Sequence, residues 1–221
     1  MTENKDVFQG LHQGQPVQMR AEAPGRARAA MLMLHGRGAR AEDILSLADQ
    51  LAQPGFSYFA PQAAGNTWYP KRFLEPLQDN EPWLSSALEL VSDTFTGILN
   101  FGFRPERIMI LGFSQGACLT LEFAARNARR YGGVAGLTGA LIGPDDLPRD
   151  YPGSLAGTPV FLGCSDVDFH VAKERVEATA EILRNLGGSV TRRLYPNMEH
   201  TVNQDELEFV RGMMQSVLAN S

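Results

Sequence analysis

A serine between two glycines is the part of this chain best suited to chemistry. The pentapeptide Gly-Phe-Ser-Gln-Gly at positions 112–116 follows a run typical of a buried strand, Ile108 to Leu111, and precedes a run typical of a helix, Ala117 to Arg130. A serine on such a sharp turn projects its hydroxyl above the sheet, and the flanking glycines relieve crowding between strand and helix. Ser114 is therefore predicted to be a nucleophile.

A histidine and two aspartates follow this serine in the order of a catalytic triad built on a strand–helix turn. His200 comes shortly after a predicted strand at Val190–Leu194, and Asp166 and Asp168 follow another at Pro159–Gly163. Because loops at the carboxyl ends of parallel strands share one edge of a sheet, we expect these side chains near the serine. A histidine there can accept the serine proton and return it to a leaving group, provided that a carboxylate fixes its tautomer. One aspartate is enough, and position along the strand leaves the choice open.

The segment Leu-His-Gly-Arg-Gly at positions 34–38 ends the first predicted strand. Its small residues allow backbone N–H groups to approach a ligand closely, so we interpret it as half of an oxyanion hole. The second donor is expected to be the N–H of Gln115, directly after the nucleophile. Together these groups predict acyl transfer through a covalent intermediate.

Strand-length hydrophobic runs alternate with helix-length amphipathic runs along the chain. This alternation is typical of parallel strands joined by crossover helices, so the predicted fold class is α/β, a single domain with a mostly parallel central sheet flanked by helices. The connection before Pro159 is short, which predicts no large lid. The predicted strands are Ala29–Leu34, Ser57–Ala60, Ile108–Leu111, Val134–Leu141, Pro159–Gly163 and Val190–Leu194, and the predicted helices are Ala41–Gln53, Pro82–Asn100, Ala117–Arg130, Val171–Leu186 and Gln204–Leu218.

The composition limits the class of protein. The 221 residues, 43 % of them hydrophobic, suit one domain with a sizeable core, assigned to residues 16–221 after an N-terminal segment at 1–15. The formal net charge of −5 with scattered signs argues against nucleic-acid binding. Neither a leader-like segment nor an apolar run of membrane length is seen, which predicts a cytoplasmic protein without stable membrane insertion. Cys118 and Cys164 are expected to be buried free thiols.

Taken together, these motifs resemble the phospholipase/carboxylesterase family of α/β-hydrolases, which includes acyl-protein thioesterases. Segment 34–38 is similar to that family's L-H-G-x-G, segment 112–116 to its G-F-S-Q-G, and Tyr195–His200 to its Y-x-G-M-x-H. Trp68 and Tyr69 resemble its W-[FY] pair. The four matches occur in order, at compatible spacing, over nearly the whole chain.

The resemblance implies roles for individual residues. Ser114 is the nucleophile, His200 the base, and the backbone N–H groups of Arg37 and Gln115 hold the oxyanion. Trp68, an indole in a polar loop after a strand, is expected to wall the substrate pocket.

The acid is assigned by register against the family segment T-P-V-x-x-x-H-G-x-x-D-P-x-V-P. A gapless alignment selects Asp168, whereas a count from the last glycine of the strand selects Asp166; we favour Asp168 because its register explains more positions. In this register Phe169 and Ala172 replace the family's prolines and Ser165 its glycine, and two further departures lie elsewhere in the chain. Asn197 replaces a glycine and tolerates the left-handed backbone, and the Arg37 side chain is expected to alter substrate preference.

The remaining histidines have simpler explanations. His35 is expected to hydrogen-bond the backbone near the first loop, and His12 to be solvated in the polar N-terminal segment. His170 forms a D-x-D-x-H pattern with Asp166 and Asp168 that is a minor alternative as a metal site, but no fourth ligand is evident and no metal is expected.

We expect hydrolysis of carboxylic esters or thioesters through an acyl-enzyme on Ser114, without a cofactor. Carboxylesterase, lysophospholipase and acyl-protein thioesterase activities all match, on a small-molecule ester or thioester that includes lipid-like compounds. One alternative is a catalytically silent binding protein that retains the fold. Another is a lactone or C–C bond hydrolase with the same triad. The resemblance also allows a homodimer.

Overall fold

The computed structural model describes residues 10–22, 26–51 and 53–219. Strands and helices alternate through most of this part of the chain, as the hydrophobic pattern predicts. The strands are β1 (Val17–Arg20), β2 (Ala29–Leu34), β3 (Phe56–Pro61), β4 (Ile108–Phe113), β5 (Gly133–Leu137), β6 (Pro159–Ser165) and β7 (Ser189–Tyr195), and the helices are α1 (Ala41–Leu51), α2 (Trp83–Asn100), α3 (Gln115–Arg126), α4 (Lys173–Asn185) and α5 (Gln204–Ala219).

These seven strands form one sheet in the order β1-β3-β2-β4-β5-β6-β7. β1 runs antiparallel to β3 at one edge, and every other neighbouring pair is parallel. The predicted α/β class with a mostly parallel sheet is confirmed. β1 is missing from the sequence prediction because four residues with mostly exposed side chains give no hydrophobic run.

Two hydrophobic layers lie on opposite faces of the sheet. Alternate residues of β2, all fully buried, face the two layers; Leu32 lies in one and Met33 in the other. Helices α2, α3 and α4 cover the first layer, and α1 and α5 cover the second. Strands buried on both faces carry uninterrupted hydrophobic runs, which is why the sequence shows them clearly.

β5 and α3 each end four residues earlier than the sequence predicts. β5 stops at Leu137 rather than Leu141, since Thr138 has a left-handed φ of 57° and the chain leaves the sheet while residues 139–142 remain buried. α3 ends at Arg126 rather than Arg130. After β5 the hydrophobic sequence continues beyond the regular backbone, whereas the residues that follow α3, Asn127 to Arg130, are mostly polar.

The prediction that His12 in the N-terminal segment is solvated is wrong, because this side chain is fully buried. His12 Nδ1 accepts the N–H of Ala64 at 3.0 Å, so its Nε2–H donates to the carbonyl of Trp68 at 2.9 Å. Burial lowers the pKa of His12, which keeps the ring neutral. The polar surroundings in sequence hide this role, since backbone groups rather than apolar side chains satisfy the ring. Residues 1–9 of the predicted 1–15 segment lie outside the described residues.

The two cysteines are buried free thiols, as predicted. Burial raises the pKa of Cys118 to about 11 and that of Cys164 to about 12, so both are protonated at neutral pH. Among the described helices, none combines the length and the apolar character needed to cross a bilayer.

Candidate active site

Ser114 lies on the turn between β4 and α3, where the parallel strands end. Its φ of 55° and ψ of −119° are unfavourable for an L-residue, and its N–H is held by the carbonyl of Leu137 at 3.0 Å. A Cβ atom on Gly112 would lie 2.2 Å from the Gly116 carbonyl oxygen, and one on Gly116 would lie 2.2 Å from the Leu34 carbonyl oxygen. Both positions therefore require glycine, and the serine is held in a strained, projecting conformation.

A continuous hydrogen-bonded chain joins this serine to a histidine and a buried carboxylate. His200 Nε2 lies 2.9 Å from Ser114 Oγ, and His200 Nδ1 lies 2.7 Å from Asp168 Oδ2. The other carboxylate oxygen, Oδ1, accepts the N–H groups of His170 and Val171, each at 2.8 Å. An acceptor at Nδ1 places the proton there, which leaves Nε2 free to accept the serine proton.

The electrostatics of the carboxylate favour its charged form. Burial raises the pKa of Asp168, but the hydrogen bond from His200 and the N–H groups of Val171 and His170 outweigh this effect, so the pKa lies below its ordinary value. At neutral pH the carboxylate is therefore ionised and acts only as an acceptor.

Asp166, the other aspartate suggested by the sequence, shapes the turn that carries the histidine. Asp166 Oδ1 accepts the N–H of Asn197 at 2.9 Å, and the Asp166 N–H donates to the carbonyl of Tyr195 at 3.0 Å. Asn197 has a φ of 52°, the left-handed backbone expected where a glycine is replaced by asparagine. Of the two aspartates, Asp168 contacts the imidazole of His200.

The backbone N–H groups of Arg37 and Gln115 are the two oxyanion donors that the sequence predicts. Arg37 and Gln115 line the cavity that contains Ser114, and within the described residues neither backbone N–H has a protein acceptor. His35 Nδ1 lies 2.8 Å from the carbonyl oxygen of Gly36, which belongs to the same peptide group as the Arg37 N–H. Since carbonyl and N–H point in opposite directions in a trans peptide, this bond fixes the direction of the Arg37 N–H.

His35 has the structural role that the sequence predicts. Its Nε2 accepts the N–H of Ala63 at 3.1 Å, so the ring proton is on Nδ1, where it donates to Gly36. Burial lowers the pKa of His35 and favours this neutral form. The ring is thus a fixed link between the loop at 34–38 and the end of β3.

Trp68 does not line the cavity, which corrects the prediction that it walls the substrate pocket. Its side chain is fully buried, and the indole N–H donates to the carbonyl of His35 at 2.8 Å. Its ring centroid lies 4.9 Å from that of His35. The next residue, Tyr69, lines the cavity. Trp68 therefore supports the loop at 34–38 from behind, a role that its polar sequence neighbours conceal.

The side chain of Gln115 is a functional feature that sequence reasoning missed. Its Oε1 accepts the N–H of Trp68 at 2.9 Å, and its Nε2 donates to the carbonyl of Tyr69 at 2.7 Å. The first residue of α3 is thereby tied to the loop at Trp68–Tyr69, which lies behind the segment 34–38. A polar residue at the start of a mostly apolar helix is the signal that could have revealed it.

The cavity above Ser114 has a volume of about 350 Å³ and combines aromatic walls with polar groups. Phe113 and His170 both line it and both contact His200, with ring centroids 5.3 Å and 4.8 Å from the imidazole. These contacts restrict the movement of the base on two sides. The cavity is large enough to hold a small ester with its carbonyl group beside Ser114.

The D-x-D-x-H pattern does not form a metal site. Asp166 bonds the Asn197 N–H, and Asp168 bonds His200 and two N–H groups. Throughout residues 10–22, 26–51 and 53–219, no group of three or more His, Cys, Asp or Glu side chains is arranged to hold a metal ion.

Comparison with known sequences gives matches over most of the chain. The sequence model of a family described as phospholipase/carboxylesterase matches residues 19–218. Acyl-protein thioesterase 1 of Saccharomyces cerevisiae is 28 % identical over an alignment of 225 positions that covers 88 % of this chain and 95 % of that protein. Acyl-protein thioesterase 1 of Gibberella zeae is 31 % identical over 129 residues, 54 % of this chain and 52 % of that protein. The match to the Aspergillus fumigatus protein of the same name covers 59 % of that protein. This chain therefore spans little more than half the length of these two relatives.

Solved structures show the same architecture. A phospholipase/carboxylesterase from Dyadobacter fermentans superposes with a TM-score of 0.86 at 41 % identity, covering 92 % of this chain and 96 % of that one. SOBER1 of Arabidopsis thaliana superposes with a TM-score of 0.74 at 22 % identity, covering 87 % and 100 %, a similarity of fold.

Proposed function

This chain belongs to the phospholipase/carboxylesterase family of α/β-hydrolases, and on that basis we propose that it is a serine hydrolase that cleaves carboxylic esters or thioesters. The observation that carries the proposal is the hydrogen-bonded chain from Ser114 through His200 to Asp168. The relatives named acyl-protein thioesterase and carboxylesterase support the same reaction class.

Acylation begins with attack of Ser114 Oγ on the carbonyl carbon. His200 Nε2 takes the hydroxyl proton, and Asp168 stabilises the resulting imidazolium through Nδ1–H. The carbonyl oxygen becomes an oxyanion that accepts the N–H groups of Arg37 and Gln115. When the tetrahedral intermediate collapses, the alcohol or thiol leaves with the proton from His200, and the acyl group remains on the serine.

Deacylation repeats these steps with water as the nucleophile. His200 removes a proton from the water as it attacks the acyl-enzyme, and the second tetrahedral intermediate uses the same oxyanion donors. Its collapse returns the proton to Ser114 and releases the carboxylic acid. No cofactor is needed for either half-reaction.

The catalytically silent alternative is less well supported, since proteins that keep a hydrolase fold without activity usually lack a member of the triad. A lactone or C–C bond hydrolase would use the same residues, and a panel of lactones and thioesters distinguishes it. The cytoplasmic location and the homodimer stay predictions.

Labelling by a fluorophosphonate tests the nucleophile. The protein should be labelled rapidly at Ser114 and should hydrolyse p-nitrophenyl butyrate, because the probe reacts with activated serines. Ser114→Ala should abolish labelling and lower kcat by about 10⁴-fold or more. A folded protein that neither reacts with the probe nor turns over the ester would refute the proposal.

The acid is tested with two matched substitutions. Asp168→Asn should lower kcat by about 10⁴-fold, because an amide at this position favours the wrong imidazole tautomer. Asp166→Asn is the control, since its amide oxygen can still accept the Asn197 N–H, and its kcat should fall far less. Equal losses in the two variants would contradict the assignment of Asp168.

A further inference from the structure

Cationic side chains border the mouth of the active-site cavity. Arg37 and Arg72 line the cavity itself, and with Lys71 they also line an adjoining groove, together with Glu75 and His170. Among the residues that the structure describes, no aspartate or glutamate lines the cavity, and Glu75 is the one carboxylate that lines the groove. The mouth is therefore positive in a chain whose net charge is −5.

These cations are not neutralised within the described part of the chain. There, no carboxylate oxygen lies within 4.0 Å of a side-chain nitrogen of Arg37, Lys71 or Arg72. All three side chains are exposed. Their charges are thus available to a molecule entering the cavity, and a local field of one sign draws counter-charged ligands toward it.

The loop that carries two of these cations is held from both sides. The Arg37 guanidinium donates to the carbonyls of Pro70 at 2.8 Å and Lys71 at 2.5 Å. The fully buried Asn80 accepts the Lys71 N–H at 2.8 Å and donates to the Arg72 carbonyl at 3.1 Å. Because the loop is fixed before a ligand arrives, binding an anion there costs little ordering entropy.

We propose that the substrate carries an oxyanionic group, a carboxylate or a phosphate, close to the ester or thioester, and that Arg37, Lys71 and Arg72 bind this group; the inference rests on the hydrolase function proposed above. Arginine presents several N–H donors in a planar fork suited to both groups. The aromatic side chains of Tyr69 and Phe73, which line the cavity, suit the apolar remainder of such a substrate.

Binding is measured first, in Ser114→Ala, so that the ester stays intact. The probes are mono-p-nitrophenyl glutarate, 4-butyryloxybenzoate and 4-butyryloxyphenyl phosphate. Each is paired with a neutral analogue, the methyl ester of each carboxylate and the dimethyl ester of the phosphate. They place a carboxylate on the acyl side, a carboxylate on the alcohol side and a phosphate on the alcohol side. At low ionic strength, calorimetry should show at least one anion bound about tenfold more tightly than its neutral partner, a difference that shrinks in about 0.5 M salt.

Substitution then assigns the effect to the mouth. Arg72→Gln and Lys71→Gln should each lower the ratio of anionic to neutral affinity, and in proteins that retain Ser114 they should lower the same ratio of kcat/KM. The control is Arg184→Gln, which removes an equal charge from the exposed end of α4, outside the cavity, and should leave both ratios unchanged.

The outcomes separate the two proposals. If none of the three anions is preferred in Ser114→Ala, or if Arg184→Gln changes the ratios as much as Arg72→Gln, the inference is wrong even for an active esterase. If the anions are preferred in binding but no ester is hydrolysed by the protein with Ser114, the hydrolase function fails while the anion site stands.

Discussion

Two buried histidines, His12 and His35, make the same kind of contacts but differ in their relation to the nucleophile. Each ring is fully buried, uses one nitrogen as acceptor and the other as donor to backbone groups, and has its pKa lowered by burial. The His35 proton is donated to the peptide group that supplies the Arg37 N–H. We expect His35 to position an oxyanion donor and His12 to contribute stability alone.

His35→Gln should lower kcat for p-nitrophenyl butyrate by about 10- to 100-fold with a smaller change in KM. A misdirected Arg37 N–H would stabilise the oxyanion of the transition state less well, whereas binding of the uncharged ground state would change little. His12→Gln is the control, since it disturbs an equally buried ring without touching the Gly36–Arg37 peptide. Both variants should unfold at lower urea concentration than the parent. Equal losses of kcat in the two variants would show that His35 acts through stability only.

Side chains with distinctive chemistry could be predicted from the sequence, whereas side chains whose role depends on the direction in which they point could not. Ser114, His200 and Asp168 are brought together as the motifs predict. Trp68 and the Gln115 side chain behave differently, because whether a side chain faces the cavity or the loop behind it depends on tertiary contacts that no local pattern encodes.

The junction of β2, β4 and α3 depends on close backbone approach. At Gly116, the first turn of α3 lies so near the end of β2 that a Cβ atom would meet the carbonyl oxygens of Leu34 and His35 at 2.2 Å and 2.5 Å. Neither atom is the end of a flexible side chain, so the helix and the strand would have to separate. The spacing of these elements also sets the distance between the loop at 34–38 and Ser114.

Gly116→Ala should lower the free energy of unfolding by about 3 kcal/mol or more, measured by urea denaturation, because the helix must move away from the strand. Gly97→Ala is the control. Gly97 lies within α2 with open space where its Cβ would be, so alanine should raise the free energy of unfolding by about 0.5–1 kcal/mol through helix propensity. Destabilisation of similar size in both variants would mean that close approach at Gly116 is not the cause.

The hydrophobic runs predict the elements well where a strand is buried on both faces, as in β2 and β4. They fail where buried residues lie outside regular secondary structure and where a regular strand is exposed. Beyond β5, residues 139–142 are buried in a loop that follows the left-handed Thr138, so a hydrophobic run alone overstates the strand. At the sheet edge the reverse occurs, because β1 is regular but mostly exposed.

Buried ionisable groups connect the stability of the protein to pH. Glu206, fully buried at the start of α5, exchanges hydrogen bonds with Asn203: Glu206 Oε2 accepts the Asn203 N–H, and the Glu206 N–H donates to Asn203 Oδ1, each at 2.9 Å. This is a capping box. The other carboxyl oxygen, Oε1, is buried without a partner among the described residues. Burial raises the pKa of Glu206 from 4.5 to about 7, against the lowering effect of the Asn203 N–H.

The sign of the effect follows from the raised pKa. Between pH 4.5 and about 7 the folded protein keeps the Glu206 proton while the unfolded chain loses it, so stability is full below this range and falls by about 3 kcal/mol as pH rises through it. His12 and His35 act in the opposite direction. Their lowered pKa values mean that the unfolded chain binds protons more readily below pH 6.5, so their contribution falls on acidification.

These opposing trends make the difference between variants more informative than the profile of one protein. Glu206→Gln keeps an oxygen that can accept the Asn203 N–H but carries no charge, so it should match the parent near pH 5 and exceed its free energy of unfolding by about 2–3 kcal/mol at pH 8. Asp205→Asn is the control: hydrogen bonds from Tyr195 and Arg193 lower the pKa of this exposed neighbour, so its effect should be constant from pH 5 to pH 8. Urea unfolding at unit steps of pH measures both. A Glu206→Gln difference that does not grow with pH would show that this carboxyl is charged in the folded protein throughout the range.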